Sequence, residues 1–162
     1  MFSRITKAAK ARNATRRAIK KFCFQKKPKI SFSLANNGAK VRHGVSLLET
    51  RTLDKLEACG IRLERSKVII LFGKTYVVDG YHALTNTIYE INGSYWHGDL
   101  RVYKPNDINT LCNKTMFMLN YETKAKYQIW KDCGFTVKYA WEYDLKKGNL
   151  LFHTFRGINY PL

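Results

Sequence analysis

At 162 residues the chain is one domain with at most an extension, and it is long enough to bury a real core. Its 45% hydrophobic and 14% aromatic content excludes a disordered or fibrous polymer. A net charge of +17 points to a polyanionic partner, and no run approaches the ~18 apolar residues of a membrane span.

The charge is unevenly placed. The first 48 residues carry 13 Lys/Arg and no acid, and the remaining 114 carry 16 against 12 acids. Residues 3–27 read as a basic helix, with Ala8, Ala11, Ala18, Ile19 and Phe22 on one stripe and Arg12, Arg16, Arg17, Lys20 and Lys21 around the rest. Such an arm suits a phosphate backbone, and a solvated tail is the plainer alternative. Pro28 stops the helix, and 28–45, with Asn36-Asn37-Gly38, reads as linker. The arm and linker thus span 1–45 and the folded domain 46–162. The acid-free start also fits an organellar import segment, but a cytoplasmic, nucleoid or viral-factory location is the main expectation, and no secretory apolar core is seen. Cys23, Cys59, Cys112 and Cys133 are far apart and read as reduced thiols, some of them buried.

Ser46 with Glu49 forms a capping-box pattern that opens a helix with Leu48, Leu53 and Leu56 inward and Gly60 at its end. Two strands follow, 67–72 and 75–78, around a turn at Gly73-Lys74, and after Leu84-Thr85-Asn86 a third runs over 87–91. Residues 92–113 form a polar loop long enough to contact substrate. A helix over 115–133 is expected to turn Phe117, Tyr121, Ile129 and Trp130 inward, with a fourth strand, FTVKYAW, after Gly134. The stretch after Glu142 carries little pattern. This order makes an α/β sandwich with a small mixed sheet.

Asp79 ends one strand and Glu90 lies in the next, so the two carboxylates can meet across the hairpin as hard oxygen ligands for Mg²⁺ or Mn²⁺. His97 follows and can move a proton at neutral pH. These three side chains are expected to converge on one cation at the edge of the sheet. Each also has a plainer reading: Asp79-Gly80 as a hairpin cue, Glu49 as a helix cap only, His97 as packing beside Trp96. An acid such as Glu90 inside an apolar strand is harder to explain structurally, because an unpaired buried carboxylate is costly. Tyr95 and Trp96 sit among loop formers, which favours stacking on bases over a place in the core.

Five pieces in order, covering 46–145, resemble the very-short-patch repair (Vsr-like) endonucleases of the restriction-endonuclease-like PD-(D/E)xK superfamily: ETRTLDKLEACGI, VVDG, YEINGSYWHG, IWKDCGFTV and YAWEYDL. The resemblance implies a three-layer Vsr-like sandwich that cuts DNA with a divalent cation. Asp79 would coordinate the metal, with the Ile91 carbonyl and Glu90 as further ligands. His97 would be the catalytic histidine, Glu49 the helix-borne acid near the site, and Tyr95 and Trp96 the aromatics wedged against bases. The chain departs from the family at its structural zinc ligands, where Ser94, Asp99 and Arg101 stand, so no zinc is expected. The partner of His97 falls near Thr123, beside Glu122, where the family has an aspartate, and Asn92 occupies the lysine slot after Glu90. The expected activity is a Mg²⁺-dependent DNA endonuclease without a small-molecule cofactor. A nuclease fold that only binds or shapes DNA, and a structural protein of a nucleoprotein particle, are the alternatives.

Overall fold

The computed structural model describes residues 46–158. The basic arm, with Arg12, Arg16, Arg17, Lys20 and Lys21, lies outside these residues.

Helix α1 (Leu47–Ala58) starts where its cap predicts. Ser46 Oγ accepts the Glu49 N–H at 3.0 Å, and the Glu49 carboxylate hydrogen-bonds back to the Ser46 backbone. Strands β1 (Glu64–Leu71) and β2 (Lys74–His82) form a hairpin. Its two linking residues, Phe72 and Gly73, have φ of 51° and 75°. Positive φ at both positions matches the twist of the flanking strands. Ser66 interrupts β1 with a φ of 48°.

A 3₁₀ turn at Ala83–Thr85 and a left-handed Asn86 lead into β3 (Thr87–Asn92), antiparallel to β2. The long loop after β3 contains a two-residue ladder, β4 (Ile108–Asn109) with β5 (Lys114–Thr115). Helix α2 (Met116–Asp132), capped by Thr115, then carries the chain to β6 (Thr136–Trp141), which pairs in parallel with β3. A short helix α3 (Glu142–Lys146) and β7 (His153–Thr154) complete the described chain. The fold is therefore α/β, with a mixed five-stranded sheet in the order β1-β2-β3-β6-β7.

Successive side chains of β3 alternate between two helices. Tyr89 and Ile91 pack with Leu53 and Leu56 of α1. Glu90 and Asn92 reach Lys126 and Tyr127 of α2. With a side-chain period of two, α1 and α2 cover opposite faces of the middle strand.

The inward stripe of α2 differs from expectation. Phe117 and Tyr121 are 56% and 47% exposed, whereas Met116, Leu119, Asn120, Thr123, Tyr127 and Trp130 are buried. Helical phase overrides size here: the buried residues recur at intervals of three and four, and the two aromatics fall off that line. Trp130 is fully buried as expected, and its ring lies edge-on to Tyr76. Cys59 and Cys112 are exposed and Cys133 is half-buried, so none of these three is a core residue.

Gly98 fixes how the loop meets α2. Its φ is +64°, and a Cβ there would come within 2.1 Å of the Met116 carbonyl oxygen and 2.9 Å of the Asn120 nitrogen. The Asn120 amide in turn donates to the Gly98 carbonyl at 3.0 Å. Gly98→Ala is expected to cost about 3 kcal/mol or more in urea denaturation, because neither helix backbone nor left-handed φ can yield cheaply. Gly60→Ala, also at positive φ (+85°) but with nothing within 4 Å, is the matched control and is expected to cost only about 1 kcal/mol. Equal losses in the two variants would count against the close approach as the cause.

Candidate active site

The ladder between β2 and β3 runs from His82–Thr87 to Gly80–Tyr89. At the next position the backbone pairing is replaced by a side chain. Asp79 Oδ2 accepts the Ile91 N–H at 2.7 Å, and the Asp79 N–H points to Glu90 Oε1 at 3.4 Å. The two strands therefore open at the residues that carry the acids. Because β3 is the middle strand, this fork lies over the centre of the sheet and not at its edge as expected.

Glu90 is 4% exposed, and Lys126 from α2 donates to its Oε2 at 2.7 Å. A buried carboxylate needs such a partner. Lys126 was not singled out by sequence, yet a signal existed. It lies three residues after Thr123 and four before Trp130, so a lysine occupies the buried phase of an amphipathic helix.

Negative charge is in excess at the fork. The Asp79 carboxyl is pushed up to about 8, first by burial, then by Glu90, with Glu49 adding to the repulsion against the Ile91 N–H and Lys126. Glu49 is also raised, chiefly by burial, its Ser46 hydrogen bond opposing this and Glu90 adding to it. Glu49 thus serves as the helix cap and stands within the electrostatic reach of both other acids.

His97 belongs to the same neighbourhood through different contacts. Its Nδ1 pairs with Thr123 Oγ1 at 3.0 Å, so Thr123 itself takes the orienting place. Burial first, and the Lys126 ammonium second, lower the imidazole to about 4. At neutral pH the ring is therefore uncharged, and it is a weaker base than an ordinary imidazole.

Among the described residues no three His, Cys, Asp or Glu side chains are grouped to hold a metal ion. The expected meeting of two acids and the imidazole on one cation is corrected accordingly: the acids adjoin each other, and His97 is bound to Thr123 instead. The donor set still suits Mg²⁺ or Mn²⁺. Mg²⁺ commonly takes only one or two carboxylates and keeps waters, Asp79 Oδ1 makes no hydrogen bond among the described residues, and the acids outnumber the ammonium. Asp79 and Glu90 would hold the ion. Ile91 contributes its N–H to Asp79, and the structure links its carbonyl to no site residue.

The loop that carries His97 is pinned on several sides. Arg101 pairs with Asp99 and Asp144 at 2.8 and 3.0 Å, and its guanidinium lies 5.0 Å from the Tyr143 ring centre. Ser94, whose N–H donates to Glu142 Oε2 at 2.8 Å, and Asn109, whose amide donates to the Tyr95 carbonyl at 3.0 Å, close the rest. Much of the loop expected to meet substrate is therefore engaged internally. Of its two adjacent aromatics, Trp96 is 57% exposed, while half-buried Tyr95 accepts the Thr110 N–H at its hydroxyl.

No family model, curated protein or solved structure matches the chain. The geometry of Asp79, Glu90, Lys126 and His97 is what bears on function.

The shifts give a pH signature. Asp79 is at about 8 in the folded chain against an ordinary 3.8. Between those values the folded state holds a proton that the unfolded state has lost, so stability falls as pH rises. His97, at about 4 against 6.5, acts oppositely and only below 6.5. In the absence of divalent ions, stability is expected to fall from pH 6.5 to 8, by at most about 1.4 kcal/mol per unit for one proton. Urea denaturation across that range should show the slope in the wild type and a flatter one in Asp79→Asn. Equal slopes would rule out Asp79 as the source.

Proposed function

We propose that this chain is a divalent-metal-dependent DNA endonuclease of Vsr-like type, hydrolysing phosphodiester bonds. The observation that carries this reading is the fork itself: two carboxylates on adjacent strands, one deeply buried, with an ammonium from α2 on it. Such a group is costly to fold around and has no structural necessity, since apolar residues would fill the space at least as stably.

Bound at Asp79 and Glu90, Mg²⁺ would supply charge neutralisation on the scissile phosphate and acidify an attacking water. The residues of the chain do the rest. Thr123 holds His97 by Nδ1, which leaves Nε2 as the atom to take a proton from the nucleophilic water. Lys126, which pairs with Glu90 and also acts electrostatically on the imidazole, can stabilise the negative charge that grows on the phosphate. Exposed Trp96 offers a ring face to a base.

A second reading has an observation in its favour. The Lys126 ammonium already neutralises Glu90, an arrangement that also suits a nuclease fold retained only for binding DNA. Supercoiled plasmid with Mg²⁺ or Mn²⁺ separates the two. Metal-dependent nicking is expected, reduced about 100-fold or more in Asp79→Ala and in His97→Ala. Salt-sensitive binding without cleavage would favour the binding module, and nicking retained in both variants would remove these residues from the mechanism.

The basic arm is assigned to the phosphate backbone on its charge alone. Deleting residues 1–40 is expected to weaken DNA binding and to flatten the dependence of log K on log salt, with the domain still folded by circular dichroism. An unchanged slope would show that the arm makes no phosphate contacts.

A further inference from the structure

A cleft of about 520 Å³ lies beside α2 on the face that carries Glu90, walled by β3, β6, β7 and the strap after β7. It lies next to the fork, not within it: Thr123, which holds His97, forms part of its wall. The strap is a built wall. Phe155 is buried against Tyr127, Lys131 donates to the Arg156 carbonyl, and Gln128 Oε1 accepts the Ile158 N–H at 3.1 Å.

The lining is mixed, with the aromatic rings of Tyr127, Tyr139, Trp141 and Phe155 beside a larger number of polar and charged side chains. Tyr139 and Trp141 project from β6 in register with Glu90 and Asn92 of β3. Asn92 is fully buried and its Oδ1 accepts the Tyr127 hydroxyl at 2.6 Å, but its Nδ2 has no partner. That amide has almost no accessible surface, so the rings of Tyr139 and Trp141 and the rim are what a ligand would meet. At the rim, Arg101 is taken by Asp99 and Asp144, whereas Lys124 and Arg156 have no carboxylate partner among the described residues.

We propose that this cleft is a nucleotide site: it receives one nucleotide of the strand being cut, the base against Tyr139 and Trp141 and the phosphate on Lys124 and Arg156. The proposal rests on the nuclease reading for its strand, and it adds what that reading lacks, a place where a base adjoining the scissile bond can be held. The two rim cations would neutralise the flanking phosphate.

The test is titration of the full chain, in EDTA so that the fork carries no metal, with thymidine and deoxyadenosine 5′-monophosphates, thymidine and inorganic phosphate, followed by calorimetry and tryptophan fluorescence. The nucleotides are expected to bind, with Lys55→Ala, an exposed cation of α1, matching the wild type. The Lys124→Ala/Arg156→Ala double variant, folded by circular dichroism, should bind about 10-fold or more weakly through loss of charge-assisted contacts. Three results would overturn the site: no nucleotide binding, equal binding by the double variant, or phosphate binding as tightly as the nucleotides. The plasmid assay reports separately on the nuclease. Nucleotide binding without nicking would sink that reading and leave the cleft, and nicking with no nucleotide binding would do the reverse.

Discussion

The hydrogen bond from the Ile91 N–H to the Asp79 carboxylate governs the rest of the structure. It satisfies a backbone donor at the point where β2 stops pairing with β3, so the sheet can open there without leaving that amide unmatched. The same bond holds the Asp79 carboxylate within electrostatic reach of Glu90, and the cost shows as an acid raised to about 8, first by burial and then by its neighbour. Lys126 offsets part of this by pairing with Glu90. The fork, the acid pair and the docking of α2 are therefore one interdependent arrangement.

Placement of the imidazole depends on that docking too. The loop carrying His97 approaches the first turn of α2 so closely that only a glycine fits at position 98. One turn further along, α2 supplies Thr123 to the ring and then Lys126 to the acid. A single helix thus sets the spacing between proton acceptor and carboxylates, and the Arg101 ion pairs with Asp99 and Asp144 hold the other end of the loop to α3.

Local chemistry was legible in the sequence where it is self-contained. The Ser46 cap, a tight turn at Gly73, β3 and the order of α2 and β6 follow from caps, turn residues and alternation, although the turn falls at Phe72-Gly73, one residue before the expected Gly73-Lys74. Asp79 and Glu90 were readable as partners because adjacent strands bring them together whatever else the chain does. At Phe117 and Tyr121 side-chain size and helical phase disagree and phase decides, and the buried stripe includes polar Asn120 and Thr123, whose reasons are tertiary. Lys126 escaped notice because its partner is 36 residues away, beyond any local pattern. Strand β7 is two residues long and α3 five, too short to announce themselves.

The Ser66 kink has a consequence for how copies of the protein behave toward each other. Strand β1 is the outer strand of the sheet beyond β2, with Glu64, Arg65 and Lys67 around a residue whose backbone leaves the extended region. A foreign strand needs a straight row of amides and carbonyls to add itself to a border. Broken near its start and flanked there by ionised side chains, this margin is a poorer template over that part, which works against fibrillar stacking of an aromatic-rich protein.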